Sequence, residues 1–466
     1  MKKIISMIMA CTMIVGAISG CGQKKEDTSV KDGKIQLSIS NWPNEAARPK
    51  EYEALMKLKA EFEEENPDIE IVPDEWEYDI QTYLAKAEAG ALPILYKTHF
   101  TEVNKIKQLG YATDLTEVAK DYGLYNVLDE NIKNMVSDGD DLLFIPSSTY
   151  TIGLVMNLDL FKQAGLTDGE GKAIIPQTFD ELAQTAKTIT EKTGKAGFVF
   201  PTAENGGGWI FTLLAWNFGG DFMKEENGKW VATFGNNKSV DALKWLKDMK
   251  WEYKAMPAST KINNEDVTKL IGTGQAAMGL IHPGQVNGLV KKYNMNPESI
   301  GFAKIPAGPE RRVTLIGGEV YVISDKATPE QVEAAYRWLE FNNVTNTELT
   351  EEAKQRMRDT YKTNFEEKLS VIGIKDLSLL DASADKQAYT DTLIEEFRNI
   401  PIENVESYND KTDVEFQAEE RICTQDLYGI LDSCIQEVLI NENADCKEVM
   451  TGAANDFQSN FLDYEN

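Results

Sequence analysis

Apolar and polar residues alternate at the start of the folded sequence, change to helical spacing, and then alternate again. The alternation over 34–39 predicts a strand, and apolar residues at 55, 58 and 62 predict a helix that the Asn-Pro pair at 66–67 ends. Alternation over 69–71 predicts a second strand. A strand, a helix and a strand in this order form the unit of a parallel sheet, so the pattern predicts an α/β fold.

The same rhythm continues along the chain. Further strands are predicted at 151–157, 198–201, 276–281 and 320–323, and further helices after the capping box at 178–181 and over 240–250. The acidic run at 138–141 predicts a turn between short elements. From about Pro329 the pattern is mostly helical to the end, and no internal repeat is found.

The first residues form a targeting pattern. Two lysines precede an apolar run that ends at Ser19-Gly20-Cys21. This pattern predicts a lipoprotein signal peptide over 1–20, cleavage before Cys21 and lipidation of Cys21. The run is too short and too interrupted for a comfortable membrane span, and an uncleaved anchor would also leave the bulk outside. The polar residues that follow predict a lipidated flexible linker over 21–33.

Composition limits the class of protein and its partners. The chain has 466 residues, of which 42% are hydrophobic and 27% charged, which suffices for two or three domains with large cores. A formal charge of −28 repels phosphate backbones, so nucleic acid is not an expected partner. Cys423, Cys434 and Cys446 lack zinc-site spacing, and the sequence leaves open whether they hold one disulfide or three free thiols.

The sequence lacks the usual motifs for catalysis, metals and nucleotides. There are only two histidines, and no Gly-x-Ser-x-Gly, His-Glu-x-x-His or P-loop pattern occurs. The segment 272–277 imitates a dinucleotide fingerprint, but helical sequence precedes it, so we interpret it as a turn. Asp138, Asp140 and Asp141 lack the ligand spacing of a calcium loop. No cofactor, metal site or catalytic residue is therefore expected.

Four aromatic residues near strand ends predict a ligand site: Trp42, Trp76, Tyr150 and Trp209. Ligands of parallel α/β sheets gather at such loops. Aromatic faces beside carboxylates and amides suit a sugar, whose C–H face packs on a ring while its hydroxyls take polar partners. A single tryptophan is more often a core residue, so we expect at least two of the four to line one cleft. His99, which is close to Glu102, and His282 are candidates for bonding a ligand hydroxyl.

Several short segments occur in an order that resembles one protein family. They are Phe-Glu-Glu-Glu-Asn-Pro-Asp-Ile-Glu-Ile at 62–71, Ala-Gly-Ala-Leu-Pro at 89–93, Asn-Leu-Asp-Leu-Phe-Lys-Gln-Ala-Gly-Leu at 157–166, Pro-Gln-Thr-Phe-Asp-Glu-Leu at 176–182, Phe-Gly-Gly-Asp at 218–221 and Gly-Thr-Gly-Gln-Ala-Ala-Met at 272–278. From about Lys34 to its end, the chain resembles the extracellular solute-binding proteins of carbohydrate-importing ABC transporters, of the maltose-binding-like type (family 1).

The chain departs from that family at three places. Ile94 stands where the family usually has Asp, and His282 or Pro283 stands where it often has Trp. The stretch 349–420 is longer and more acidic than usual. Two of these departures belong to the cleft region, so the ligand is expected to differ from maltose.

The resemblance implies a type II periplasmic-binding-protein fold with two lobes, each a mainly parallel sheet flanked by helices, and a cleft between them. The first lobe would hold 34–148 and 301–326, and the second 149–300 and 327–466. A carbohydrate, in particular an oligosaccharide, would bind in the cleft and the lobes would close around it. The closed form would then dock on an ABC transporter permease.

We therefore expect a monomeric, non-enzymatic capture protein, held by the lipid on Cys21 at the extracellular face of the cell membrane of a Gram-positive bacterium. Stacking faces are expected from Trp42, Trp76, Tyr150 and Trp209, and hydrogen bonds from Glu45, Arg48, Glu102, His99, His282 and Glu319. An extracellular glycan-acting enzyme and a non-transport surface adhesin are alternatives that the sequence does not separate from this reading.

Overall fold

The computed structural model describes residues 29–465 except 237, 382, 383 and 421. The predicted signal peptide over 1–20 and the predicted lipidation site Cys21 lie outside the described residues. Within the described part, no helix combines the length and the apolar character that crossing a bilayer requires.

The strands and helices of the described residues follow in chain order. The strands are β1 Val30–Lys31, β2 Lys34–Ile39, β3 Ile69–Pro73, β4 Leu95–His99, β5 Ser137–Asp138, β6 Asp141–Leu142, β7 Phe144–Thr151, β8 Gly153–Asn157, β9 Met223–Glu226, β10 Lys229–Ala232, β11 Met278–Ile281, β12 Ile300–Lys304, β13 Val313–Ile323 and β14 Glu415–Ala418. The α-helices are α1 Pro49–Glu65, α2 Ile80–Glu88, α3 Val103–Leu109, α4 Thr116–Asp121, α5 Leu124–Val127, α6 Glu130–Val136, α7 Leu158–Ala164, α8 Phe179–Thr193, α9 Gly206–Asn217, α10 Ser239–Trp251, α11 Asn264–Gly272, α12 Pro283–Lys291, α13 Pro329–Phe341, α14 Glu351–Glu366, α15 Asp385–Phe397, α16 Glu406–Asn409, α17 Thr424–Ile440, α18 Cys446–Phe457 and α19 Asp463–Glu465. Short 3-10 turns lie at Phe100–Glu102, Pro297–Ser299 and Ile402–Asn404, and a π-helical segment lies at Gln458–Leu462.

The predicted strand–helix–strand unit is confirmed. The helix α1 lies between β2 and β3, which pair in parallel with Ile35 opposite Ile69. The folded region begins earlier than predicted, because Asp32 and Gly33 adopt positive φ and turn β1 back onto β2 as an antiparallel hairpin. Two residues of the predicted linker thus belong to the sheet.

The predicted strand at 198–201 is wrong. Its backbone N–H groups bond to separate segments, with Phe198 bonded to the carbonyl of Ala255 and Val199 to that of Met278. The pairing with β11 is therefore limited to an isolated parallel bridge between Val199 and Gly279. The predicted turn at 272–277 is confirmed, since α11 ends at Gly272, Gly274 adopts φ +66° and β11 follows.

The first hydrophobic core packs on a sheet of mixed direction. Within it β2 pairs in parallel with β3 and β4, whereas β13 pairs antiparallel with β4 and β7 and parallel with β14. This core includes Leu37, Tyr96 and Val322 of the sheet and Trp338 of α13. The helix α13 therefore packs in the first core, whereas the family resemblance implied that 327–466 belongs to the second lobe.

The second core surrounds β8, which lies between β11 and β12 in an antiparallel three-stranded sheet. Helices that include α8, α9, α10 and α17 cover one side, with buried Phe179, Trp216 and Leu431. A smaller core of Val267, Phe302 and others adjoins it. The α/β class is confirmed, with strand directions that are mixed in the first sheet and antiparallel in the second rather than mainly parallel.

Two neighbouring strand paths connect the cores. Along the first path, Phe144 of β7 lies in the first core and Leu154 of β8 lies in the second. Along the second path, which is β13, Leu315 lies in the second core and Val320 lies in the first. The strands β7 and β13 are paired over this crossing. The chain therefore passes between the cores along two adjacent strands, and the exact residue boundaries of the lobes stay a prediction.

The long acidic stretch lies against this crossing. The hydroxyl of buried Tyr408 shares a hydrogen bond with Thr151 Oγ1 at 2.8 Å, and Thr149 Oγ1 donates to the carbonyl of Leu377 at 2.7 Å. Residues of the stretch enter both the first core, through Leu380, and the smaller core. The stretch thus packs against the junction of β7 and β8 and forms hydrogen bonds with it.

Candidate ligand-binding cleft

A cleft separates residues 99–109, which include Phe100, Val103 and Ile106 of the first core, from residues 204–209, 418–420 and 422–428 beside the second core. It consists of three adjoining pockets of about 270, 360 and 230 Å³, all of which are lined by Thr101. We name the third the central pocket. Its lining includes His99, Tyr150, Glu204, Asn205, Trp209, Asn264, Glu419, Gln425 and Tyr428. Concave sites that combine aromatic rings with a few polar groups are typical of small-molecule binding.

Three of the predicted residues form an aromatic cluster at this pocket. The ring centroids of Tyr150 and His282 lie 4.8 Å apart, and Trp209 lies 6.2 Å from Tyr150 and 6.3 Å from His282. The Nδ1 atom of His282 is buried and has no hydrogen-bond partner among the described residues. Burial lowers the pKa of His282 to about 4, so its imidazole is neutral at neutral pH and presents one donor and one acceptor.

The position of Tyr150 depends on a glycine in the neighbouring strand. Tyr150 of β7 is opposite Gly317 of β13. A Cβ on Gly317 would lie under 3.0 Å from the Tyr150 ring, and one on Gly318 would collide with Phe100 and the carbonyl of Ser148. The Gly-Gly pair therefore brings the aromatic ring close against the strand that crosses between the cores.

The position of Trp209 depends on three glycines that begin a helix. Trp209 was expected in a loop near a strand end, but α9 starts at Gly206 and includes it. A Cβ on Gly207 would lie 2.5 Å from Asp432 Oδ1, so these glycines permit close packing of α9 on α17. Both carboxylate oxygens of Asp432 accept backbone bonds at this helix start, from Gly208 at 2.7 Å and from Asn205 at 2.8 Å. The packing directs half-buried Trp209 into the central pocket.

Glu419 and Tyr428 are residues of the pocket that sequence reasoning missed. Tyr428 donates a hydrogen bond to Glu419 Oε1 at 2.8 Å. Burial raises the pKa of Glu419 to about 7, and hydrogen bonds from Tyr428 and Trp209 oppose that shift. Glu419 directly follows β14, so it lies at a strand end, which is where the sequence predicts the aromatic residues of the ligand site. Glu204, Asn205, Asn264 and Gln425 were also missed, because no motif marks them.

The opposite wall carries His99 and Thr101. His99, the last residue of β4, is exposed and lies opposite Glu319 in the pairing of β4 with β13. The side chain of Glu319 forms an ion pair with Lys97. Glu319 is thus near His99 but is already engaged, and the positive charge of Lys97 is balanced.

Comparison with known proteins decides the family. A sequence model of the bacterial extracellular solute-binding proteins matches residues 46–342. The chain belongs to this family. The resemblance inferred from the ordered segments is therefore confirmed. No curated protein matches the chain in sequence.

Solved structures share the fold of this solute-binding protein. Maltose-bound T. maritima MalE3 is 19% identical, with a TM-score of 0.62 and coverage of 91% of this chain and 99% of that one. UgpB from Mycobacterium tuberculosis, in complex with glycerophosphocholine, is 17% identical, with a TM-score of 0.67 and coverage of 93% and 100%. A sugar transporter from Arthrobacter chlorophenolicus with bound laminaribiose is 16% identical, with a TM-score of 0.65 and coverage of 92% and 99%. At these identities the likeness concerns the fold alone.

Two predicted tryptophans of the solute-binding protein lie in its first core. Trp42 is 2% exposed, and its ring centroid lies 6.4 Å from that of Trp338. Trp76 packs on Tyr78 and Tyr96, with ring centroids 6.3 and 5.9 Å away. The described structure therefore brings Tyr150 and Trp209 together at the central pocket, but not Trp42 or Trp76.

The other predicted polar residues are also dispersed. Glu45 is exposed, and Arg48 forms an ion pair with Glu77 at 2.9 Å, away from the three pockets. Glu102 is 6% exposed and accepts a hydrogen bond from Tyr78 at 2.5 Å, yet it also lines the first pocket of the cleft. Of this group, Glu102 is thus the residue that reaches the cleft.

The described residues contain no group of three or more His, Cys, Asp or Glu side chains arranged to hold a metal ion. The three cysteines at 423, 434 and 446 are free thiols, which settles the alternative that the sequence left open. Burial raises the pKa of the Cys423 thiol to about 11 and that of Cys434 to about 12. These thiols are therefore protonated at neutral pH and poorly nucleophilic.

Proposed function

We propose that this solute-binding protein captures a carbohydrate, and specifically an oligosaccharide, in the cleft and delivers it to the permease of an ABC transporter. The observation that carries the proposal is the cluster of Tyr150, Trp209 and His282 at the central pocket, with the Glu419 carboxylate among its lining groups. The rings offer faces for the C–H surface of a sugar, and the carboxylate and nearby amides offer partners for its hydroxyls.

Capture requires contacts with both walls of the cleft. His99 and Thr101 lie on the wall beside the first core, whereas Trp209 and Glu419 lie on the wall beside the second. A sugar that touches all four would stabilise an arrangement in which the walls are close, and the closure would bend the strand paths β7–β8 and β13. The closed arrangement would be the form that docks on the permease.

The proposal includes the location and state of the mature chain. We place it as a monomer without catalytic activity at the extracellular face of the membrane, held by a lipid on Cys21. Such an anchor would keep the protein at a high effective concentration beside its transporter. When producing cells are grown with a labelled fatty acid, the wild-type protein is expected to carry the label and Cys21→Ser is not; an unlabelled wild-type protein would contradict the anchor.

The binding role is tested with a panel of neutral oligosaccharides and isothermal titration calorimetry. We expect saturable 1:1 binding of at least one member and no new reducing ends after prolonged incubation. Trp209→Ala is expected to weaken that binding strongly. Trp230→Ala, on the β9–β10 hairpin outside the three pockets, is the matched control and should bind as the wild type does. Catalytic turnover or a panel without any binder would overturn the proposal.

A further inference from the structure

The central pocket is lined by two carboxylates and by one histidine, His99. Glu204 and Glu419 line it, and no lysine or arginine does so among the described residues. Glu204 is exposed and accepts a hydrogen bond from Asn263 at 3.1 Å. His282, in contact with Tyr150, is neutral at neutral pH because burial lowers its pKa to about 4. An anionic group bound here would meet carboxylates without a lysine or arginine to balance it.

Two described lysines line the other pockets of the cleft, but neither lines the central pocket. Lys107 lines the second pocket and is paired with Asp138 at 2.7 Å. Lys105 lines the first pocket together with Asp426 and Glu465, and it interacts electrostatically with the carboxylate of Asp426. Each lysine thus has an acidic neighbour of its own, outside the central pocket.

From these observations we propose that the cleft selects its sugar by charge: it takes neutral oligosaccharides and those that carry an amino group, rejects those that carry a carboxylate, sulfate or phosphate, and uses Glu419 as the specificity-determining residue. This inference rests on the proposed function, since it presumes that the ligand is a sugar. Glu419 has the suited position because its half-buried carboxylate lies beside the side chain of Trp209 and the hydroxyl of Tyr428, where water screens it less than on the open surface.

The chemistry of the pocket agrees with a basic or neutral guest. A carboxylate accepts hydrogen bonds from sugar hydroxyls and, more strongly, from an ammonium group. The faces of Tyr150 and Trp209 carry negative quadrupole potential, which attracts a cation and repels an anion. Rings and carboxylate therefore favour the same class of ligand.

The test compares matched trisaccharides by calorimetry at pH 8. The probes are maltotriose, cellotriose and mannotriose, the same sugars with one uronic acid carboxylate, and the same sugars with one 2-amino group. We expect each bound neutral or amino sugar to bind roughly fivefold or more tightly than its uronate counterpart. An equal or tighter uronate would overturn the charge selection while leaving the binding role intact. A panel in which no sugar binds would overturn the binding role and this inference together.

The residue assignment is tested with Glu419→Gln. We expect the neutral-to-uronate affinity ratio to fall by roughly fivefold, because the amide keeps the size of the side chain and removes its charge. Glu442→Gln removes the same charge from an exposed position far from the pockets and should keep the wild-type ratio. A variant at 419 with the wild-type ratio and a normal melting temperature would overturn the role of Glu419.

The pH dependence gives a second readout. The wild-type ratio is expected to rise between pH 6 and pH 8, since Glu419 loses its proton in that range. The titratable groups that face it or share its pocket are Tyr428, Tyr150, Glu102, Glu204 and His99. The other titratable groups are present in both wild type and Glu419→Gln, so the difference between the two profiles is the quantity that reports on Glu419. Parallel profiles would overturn the assignment.

Arg421 is outside the described residues but is two positions from Glu419 in the sequence. Arg421→Gln is therefore measured with the same sugars. We expect the neutral-to-uronate ratio to stay within about twofold of the wild type. A selective loss of uronate binding in this variant would reveal a site for anions and would overturn the inference.

Discussion

The side chain of Tyr150 occupies the space that a side chain on Gly317 would need: a Cβ there would lie under 3.0 Å from the ring atoms Cε2 and Cζ and from the hydroxyl oxygen Oη. Both residues belong to the paired strands that cross between the cores. The position of an aromatic face in the cleft is therefore fixed by the absence of a side chain on the neighbouring strand.

We expect Gly317→Ala to displace the Tyr150 ring and to weaken ligand binding by about tenfold, which corresponds to ~1.4 kcal/mol. Crowding of the strand is also expected to destabilise the fold by about 1–3 kcal/mol. Calorimetry with the bound sugar and urea unfolding measure the two effects. Gly452→Ala is the control, since a Cβ at that helical position meets nothing within 4 Å. It is expected to bind normally, whereas normal binding by Gly317→Ala would contradict the positioning argument.

Asp432 positions Trp209 by accepting hydrogen bonds at the start of α9. Its two carboxylate oxygens accept from Gly208 and Asn205, so Asp432→Asn replaces one acceptor with an N–H group that faces a donor. We expect a loss of about 1–3 kcal/mol in the free energy of unfolding and weaker ligand binding through Trp209. Asp121→Asn, at an exposed helix end, is expected to change stability by less than about 0.5 kcal/mol. Equal stability of the two variants would remove this role of Asp432.

Several elements of the fold were predictable because local patterns determine them. Alternation over β2 and β3, the helical spacing of α1 and the cap at Thr178 each depend on neighbours in the sequence, and the structure has the corresponding elements. The strand predicted at 198–201 failed for the opposite reason. Its backbone bonds go to segments more than fifty residues away, which an apolar run does not reveal.

The candidate site was predictable only in part. Trp42 and Trp209 are alike in sequence, since both follow a predicted strand and both were expected to face a ligand. Tertiary packing separates them, because α13 covers Trp42 while the glycines of α9 leave Trp209 half-buried at the pocket. Glu419 was not predictable, since its meeting with Trp209 joins segments about two hundred residues apart.

The imidazole of His282, whose Nδ1 atom is buried, predicts a specific acid sensitivity. Its pKa is lowered to about 4 in the folded protein from an ordinary value of 6.5, because burial disfavours the charged form. The unfolded chain therefore binds the proton first as the pH falls, and stability is lost between pH 6.5 and pH 4. The full loss from this group is about 3 kcal/mol.

His282→Phe keeps an aromatic ring against Tyr150 and removes the titration. The variant is expected to lose less stability than the wild type between pH 7 and pH 4.5, as followed by urea unfolding at each pH. Other groups titrate in this range in both proteins, so the difference between the two curves is the quantity of interest. Curves that stay parallel would show that protonation of His282 is not linked to unfolding.

The different surroundings of Trp42 and Trp209 predict that one substitution mainly lowers stability and the other mainly lowers sugar affinity. Trp42 is 2% exposed and packs with Trp338 and the first core, so Trp42→Ala is expected to lower the free energy of unfolding by about 3–5 kcal/mol. The sugar affinity of the folded fraction should stay within about twofold of the wild type, because no atom of the cleft is removed. Trp209→Ala should show the reverse pattern, with a large loss of affinity and a smaller loss of stability, since its ring is already partly solvent-exposed. Unfolding curves and calorimetry at a temperature where both variants are folded separate the two effects, and a Trp42 variant that is stable but fails to bind would return Trp42 to the site.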